Sequence, residues 1–262
     1  MTRPEPSTFR QRLAAGEILC GSFIKTPTGH ACEIFGDLGY DFVVIDEEHA
    51  PFDRRAIDDA LLACRAAAIA GLVRVASGSP SNLLSVLDCG ASGVLVPHVA
   101  TPDRAREVAA ACRYHRGTRG FSNSPRAGRY GGLDLSGHIA QADAITTVIA
   151  QIEDPSALSC VDEIARVDGI DALFVGRGDL AAAMGETSST AERVHAASAA
   201  IAEAARRAGK PVLFFVGSLA DATAMRALGG TGFVYSSDQG LMRQAAARAR
   251  DEVRSLQPGS KQ

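Results

Sequence analysis

The run of apolar segments in this 262-residue chain predicts an α/β protein, a (β/α)8 TIM barrel forming one domain over residues 1–262. Eight short runs rich in Val, Ile, Leu and Phe recur along the chain, with longer Ala/Leu-rich helical patterns between them. The short runs are continuously apolar rather than alternating, as strands covered on both faces are. Repeated strand–helix units imply a parallel sheet with right-handed crossovers, and eight of them at this length imply a closed barrel. A doubly wound open sheet is the alternative, but no GxGxxG follows any of the runs.

Taken in order, "LCGSFIK" (19–25) is the first expected strand, and the helix pattern "HACEIFGDLG" after it stops on a glycine. "DFVVID" (41–46) and "GLVRVA" (71–76) are strands two and three. "SPSNLLSVLDCG" opens on a serine cap followed by proline, and also ends in glycine. Strand four is "GVLVPHV" (93–99), and "TPDRAREVAAACRYH" repeats the capping logic. "HRGTRGFSNSPRAGRYGGLDLSG" (115–137) breaks the rhythm; it is either a solvated excursion or a loop that covers substrate or contacts a second subunit. Strands five to eight are "TTVIAQIE" (146–153), "DALFVG" (171–176), "PVLFFVG" (211–217) and "GFVYSSD" (232–238). The helices "TAERVHAASAAIAEAARRAG" and "SLADATAMRALGG" flank the seventh strand. The short N-terminus and the tail 257–262, "QPGSKQ", are expected to be disordered.

Composition excludes several function classes. A net charge of -3 with mixed signs leaves no electrostatic footprint for nucleic acid or an anionic membrane. No apolar run approaches the roughly 20 residues that span a bilayer. The N-terminal "MTRPEPSTFRQRL" has no apolar core of a secretory signal. Six scattered cysteines without a CxxC fit reduced, mostly buried thiols, and with the rest imply a cytoplasmic protein.

A barrel of this kind carries its site at the C-terminal ends of the strands. Strand two ends in Asp46-Glu47-Glu48-His49, strand three carries Arg74, strand four ends in Pro97-His98, and strand five ends in Glu153. Strand six leads into "GRGDL" with Gly178 and Asp179, and strand eight ends in Asp238. Glu153 and Asp179 either hold one divalent cation or serve only as helix-capping acids. Arg74 within an apolar strand is either a structural partner of Asp46 or Glu48, or a clamp on a substrate oxyanion. His49 beside these acids is a candidate proton carrier. The glycines Gly176 and Gly178 before a helix leave amides open to a carboxylate.

These residues, with "IDEEHAPFD", "LVRV", "LLSVLDCGASGVLVPHV", "RYHRGTRG", "AQIED" and "GIDALFVGRGDLAAAMG", resemble the HpcH/HpaI aldolase family from about residue 18 to 250. The resemblance implies a metal-dependent class II pyruvate aldolase that cleaves 4-hydroxy-2-oxo acids to pyruvate and an aldehyde, reversibly, through a pyruvate enolate. It implies Glu153 and Asp179 as ligands of Mg, Mn or Co, Arg74 at the enolate oxygen and His49 as acid and base. It also implies Asp46 as a supporting carboxylate, Asp88 as the partner of the histidine, and the Gly178 amide at the pyruvate carboxylate. The family's barrels are commonly hexamers with an exchanged C-terminal helix, which implies a homo-oligomer, trimer or hexamer, and a role for 239–256. Two departures, Glu47 and Arg177, flank the expected pocket and bear on the acceptor aldehyde. A citrate-lyase-type CoA-ester lyase and an oxaloacetate decarboxylase are the alternatives. Only three lysines occur, Lys25, Lys210 and Lys261, and only Lys25 ends a strand where a Schiff base could form.

Overall fold

The computed structural model describes residues 5–256, so the expectations for the extreme N-terminus and for 257–262 lie outside the described residues. Eight parallel strands close into a barrel in sequence order. They are β1 (Leu19–Ile24), β2 (Phe42–Asp46), β3 (Ala70–Arg74), β4 (Gly93–Val96), β5 (Thr147–Ile152), β6 (Ala172–Val175), β7 (Val212–Val216) and β8 (Gly232–Ser237). Each matches one of the eight apolar runs, shorter by one to three residues at one or both ends, and β3 also begins one residue earlier, at Ala70.

The helices are α1 (Phe9–Ala14), α2 (Gly29–Asp37), α3 (Arg54–Ala66), α4 (Pro80–Asp88), α5 (Pro102–Ala111) and α6 (Leu135–Ile145). They continue with α7 (Val161–Arg166), α8 (Arg177–Ala183), α9 (Glu192–Arg207), α10 (Leu219–Ala227) and α11 (Asp238–Arg254). The caps expected from sequence are made: Ser79 accepts from the Asn82 amide with Pro80 behind it, and Thr101 accepts from the Arg104 amide with Pro102 behind it. Gly90 closes α4 at φ +94, a left-handed position that glycine takes without steric penalty.

Side-chain parity along the strands decides what reaches the site. Phe42 and Val44 of β2, Leu72 of β3, Leu95 of β4, Ile149 of β5 and Phe174 of β6 fill the barrel interior. Phe9 and Leu13 of α1 join the same cluster, and Phe9 packs 5.2 Å from the Phe42 ring. Val43, Ile45, Val73, Val94 and Val148 face outward into the helix layer. Stepping two residues on from the inward set gives Asp46, Arg74, Gln151 and, one further step along β5, Glu153. The inward stripe therefore turns from apolar to charged at the C-terminal end of the barrel.

The segment 115–137 joins α5 to β5, so it lies at the end of the barrel where strands begin, opposite the charged mouth. It cannot cover this chain's own site, and the substrate-covering expectation fails for that topological reason. Arg126 ties it down by donating to the Cys89 carbonyl and pairing with Asp58 at 2.7 Å. Its last residues are already α6, capped by Asp134.

Candidate active site

β2 and β3 pair so that Asp46 and Arg74 stand side by side. Arg74 donates through Nε and Nη2 to the two carboxylate oxygens of Asp46 at 2.9 and 2.8 Å. The arrangement is bidentate and both groups are buried. Phe23 lies under the guanidinium, 4.5 Å from its ring centre. Lys25 of the β1–α2 loop adds a second cation, its Nζ 2.8 Å from Asp46. Burial alone would push the Asp46 pKa up. The bonds and charges of Arg74 and Lys25 overcome that and hold it below its ordinary value. Nη1 of Arg74 enters none of these bonds, so one edge of a rigid cation remains for a ligand.

Glu153 follows β5 and is buried. Its Oε1 accepts the His98 amide at 2.8 Å, and its Oε2 accepts from the Gln151 side chain. Burial raises its pKa, the Gln151 and His98 bonds oppose the rise, and the Asp179 charge adds to it; the net shift is upward. Gly176 makes this packing possible. A Cβ there would meet the Glu153 Cβ at 2.5 Å. Asp179 is exposed in the first turn of α8 and borders a cleft of about 300 Å³ with Lys25, Arg74, Gln151, Gly178 and Phe215. Gly178 has open space on its Cα side, which leaves its backbone accessible.

His49 is exposed; its amide donates to Asp46 Oδ1 at 3.2 Å and its Nε2 lies 3.6 Å from Glu48. Asp46, His49, Arg74, Glu153, Gly178 and Asp179 therefore share one mouth. Asp88 does not. It ends α4 at the opposite end of the barrel and accepts from Arg119 at 3.2 Å. Asp238 turns back to accept the Lys25 and Thr26 amides at 2.8 and 3.0 Å, so it shapes the β1–α2 loop. Lys210 donates to the Val167 carbonyl at the far end of the barrel.

The two departures are already engaged. Glu47 has the outward parity and accepts from the Ala76 amide and Asn82 side chain, both at 2.9 Å. Arg177 is buried, grips Asp221 with both terminal nitrogens and donates to the Phe215 carbonyl. Glu47 is held away from the cleft by these bonds, whereas Arg177 still lines the cleft beside Gly178 and Asp179.

Two residues passed over as ligands join the site. Among the described residues, Glu48, His98 and Glu153 form the one group of three whose donor atoms all lie within 4.8 Å of one another. Glu48 Oε2 and Gln151 Oε1 are buried without a hydrogen-bond partner. Arg74 Nε lies 3.4 Å from Glu48 Oε2 without a hydrogen bond, so that oxygen is only partly compensated, and Gln151 Oε1 has no such partner; oxygens of this kind can take a further cation or donor. Carboxylates plus imidazole suit a hard or borderline divalent cation, so the residues present fit one.

Residues 20–245 match the family described as HpcH/HpaI aldolase/citrate lyase. The hydroxypyruvate/pyruvate aldolase of Roseobacter denitrificans is 37% identical over 70% of this chain and 72% of its own. The 5-keto-4-deoxy-D-glucarate aldolase of Shigella dysenteriae is 34% identical over 94% of this chain and 96% of its own. The crystal structure of an HpcH/HpaI aldolase/citrate lyase family protein from Burkholderia cenocepacia superposes with a TM-score of 0.90 at 32% identity, covering 95% of this chain and 99% of that one. With the barrel and its mouth in agreement, this chain belongs to the HpcH/HpaI aldolase/citrate lyase family.

Proposed function

We propose that the protein is a divalent-metal-dependent carbon–carbon lyase, a class II aldolase that cleaves 4-hydroxy-2-oxo acids to pyruvate and an aldehyde and runs the addition in reverse. The observation that carries this is Arg74, held on two sides by Asp46 and Phe23, lining the cleft, with Nη1 in none of these bonds. A preorganised cation of this kind stabilises an oxyanion as it develops, here the oxygen of the pyruvate enolate. Asp46 fixes the guanidinium so that no reorganisation accompanies the charge. The Gly178 amide, in the first turn of α8, receives the 2-oxo acid carboxylate. His49 takes the proton of the 4-hydroxyl in cleavage and returns it in synthesis. Glu153 and Asp179 hold the cation, Mg, Mn or Co, which when bound supplies Lewis-acid polarisation.

The proposal includes a homo-oligomer, trimer or hexamer. No residue of α11 is buried in one chain. The pairing of Asp88 with His49 that the resemblance implies cannot form within one barrel, because the two lie at opposite ends. It calls for Asp88 of one copy against His49 of another.

The deciding experiment follows pyruvate release from 4-hydroxy-2-oxo acids after EDTA treatment, with and without Mg, Mn or Co. Loss and metal-specific recovery support the proposal. Activity indifferent to EDTA would overturn it and direct attention to Lys25, whose amine stands at the same mouth in an ion pair with Asp46.

A further inference from the structure

Deepening that reading and resting on its metal, we propose that His98 is a nitrogen ligand of the divalent cation, and that with Glu48 and Glu153 it biases the site toward Co and other borderline first-row ions over Mg. Three independent observations converge on His98. Its ring nitrogen Nδ1 lies 3.4 Å from Glu153 Oε1. Two donors sharing one ion at bond lengths of about 2.1 Å sit roughly 3.0–3.4 Å apart, so this spacing is that of neighbouring ligands. The imidazole also belongs to the three-residue group with Glu48 and Glu153.

The second observation is the backbone. His98 has φ +53, a left-handed conformation that side chains other than glycine, asparagine and aspartate seldom adopt. β4 ends two residues earlier at Val96, and this twist turns both the amide and the ring of His98 onto Glu153. A strained residue held at a site mouth by its neighbours is where function is sought.

The third is Glu48. Its Oε2 is buried and makes no hydrogen bond; Nε of Arg74, already donating to Asp46, lies 3.4 Å away as a charge partner only. A structural ion pair between His98 and Asp154, 3.2 Å apart, would account for the imidazole but not for this oxygen. Nor would it contribute much, because the His98 side chain is 64% exposed and exposed pairs are weak. A cation between the three groups would give this oxygen a direct ligand bond that Arg74 does not, and would join all three. An all-oxygen site suits Mg and Mn alike, whereas one imidazole among the donors moves the preference up the first-row series toward ions such as Co.

The test uses full-length protein loaded with Mn in the absence of substrate and reads nitrogen hyperfine coupling by electron spin echo modulation. His98→Asn is the variant, because asparagine tolerates the left-handed backbone and lacks the imidazole. Coupling is expected in the wild type and in His49→Ala, and absent in His98→Asn. Titration of the same variant should show Co affinity lowered roughly tenfold or more, with Mg affinity lowered much less. Mn bound without nitrogen coupling in the wild type, or coupling that survives in His98→Asn, overturns the ligand assignment and leaves the aldolase reading standing. Failure of the wild type to bind Mn while Co or Mg binds overturns the ligand assignment alone, and failure to bind any of the three overturns both.

Discussion

Arg74 shows how much one position in a strand can determine. It has the inward parity of Leu72 and sits one layer above it, where the barrel stops being apolar. Its partner Asp46 arrives by the same count on β2. Breaking a buried pair by deleting one member leaves the other uncompensated and typically costs about 3–5 kcal/mol. Arg74→Ala should therefore lower the melting temperature, and at temperatures where it is folded it should lower turnover by about 10²–10³. Arg74→Lys keeps the charge but cannot grip Asp46 bidentately, so it should fold better and recover little activity. Both should lose proton exchange into the methyl group of pyruvate; exchange at wild-type rate would show that Arg74 does not hold the enolate. His49 acts at a different atom. His49→Ala should reduce aldol cleavage by about 10²–10⁴ yet reduce oxaloacetate decarboxylation much less, since that reaction has no hydroxyl to deprotonate. Parallel losses in the two assays would remove His49 from the 4-hydroxyl.

At the level of elements, the turn from β6 into α8 is the tightest joint in the site. Gly176 lets Glu153 approach where a Cβ would stand 2.5 Å from its Cβ and 2.9 Å from its Oε2. Gly176→Ala should cost about 1–3 kcal/mol by overpacking and should weaken Mn binding by moving Glu153, whereas Gly178→Ala, with nothing within 4 Å, should fold normally. Equal melting temperatures and equal Mn affinity for Gly176→Ala and wild type would refute the packing role. This joint was half legible in "FVGRGDL": the strand, the helix start and Asp179 follow from pattern, but the reason for Gly176 lies on β5. The strands were legible because burial on both faces leaves unbroken apolar runs. α3 was not singled out, and α6 was obscured because "LSGHIAQADAI" buries only His138 and Ala142 and shows little periodicity. His98 was visible as a strand-end residue, but its left-handed backbone and its approach to Glu153 depend on contacts 55 residues away. What Glu47 binds was not legible, because its outward parity carries it to the Ala76 amide and the Asn82 side chain, contacts 29 and 35 residues away in sequence.

The whole molecule carries two features that one copy leaves unresolved. α11 runs 17 residues from Asp238 to Arg254 without a buried residue, and Met242 and Val253 on it are 65% and 67% exposed. Leu241 packs against the core near its start, but the rest of a helix this length is marginal in water without further packing. Asp88 and His49 stand at opposite ends of one barrel, so the pair implied for catalysis needs a second copy. Both features point to the same assembly, and complementation separates it from a monomeric enzyme. Light scattering should give a trimer or hexamer, and Met242→Asp with Val253→Asp should shift the mass downward if α11 packs on a neighbour. His49→Ala and Asp88→Ala should each be poorly active alone. Oligomers mixed from the two, after dissociation and reassociation, contain sites with an intact His49 from one copy and an intact Asp88 from another. Such mixtures should regain part of the wild-type turnover. If the mixed oligomers form, as mass confirms, and activity stays at the level of the single variants, Asp88 serves only Arg119 in its own chain. The site would then be complete within one barrel.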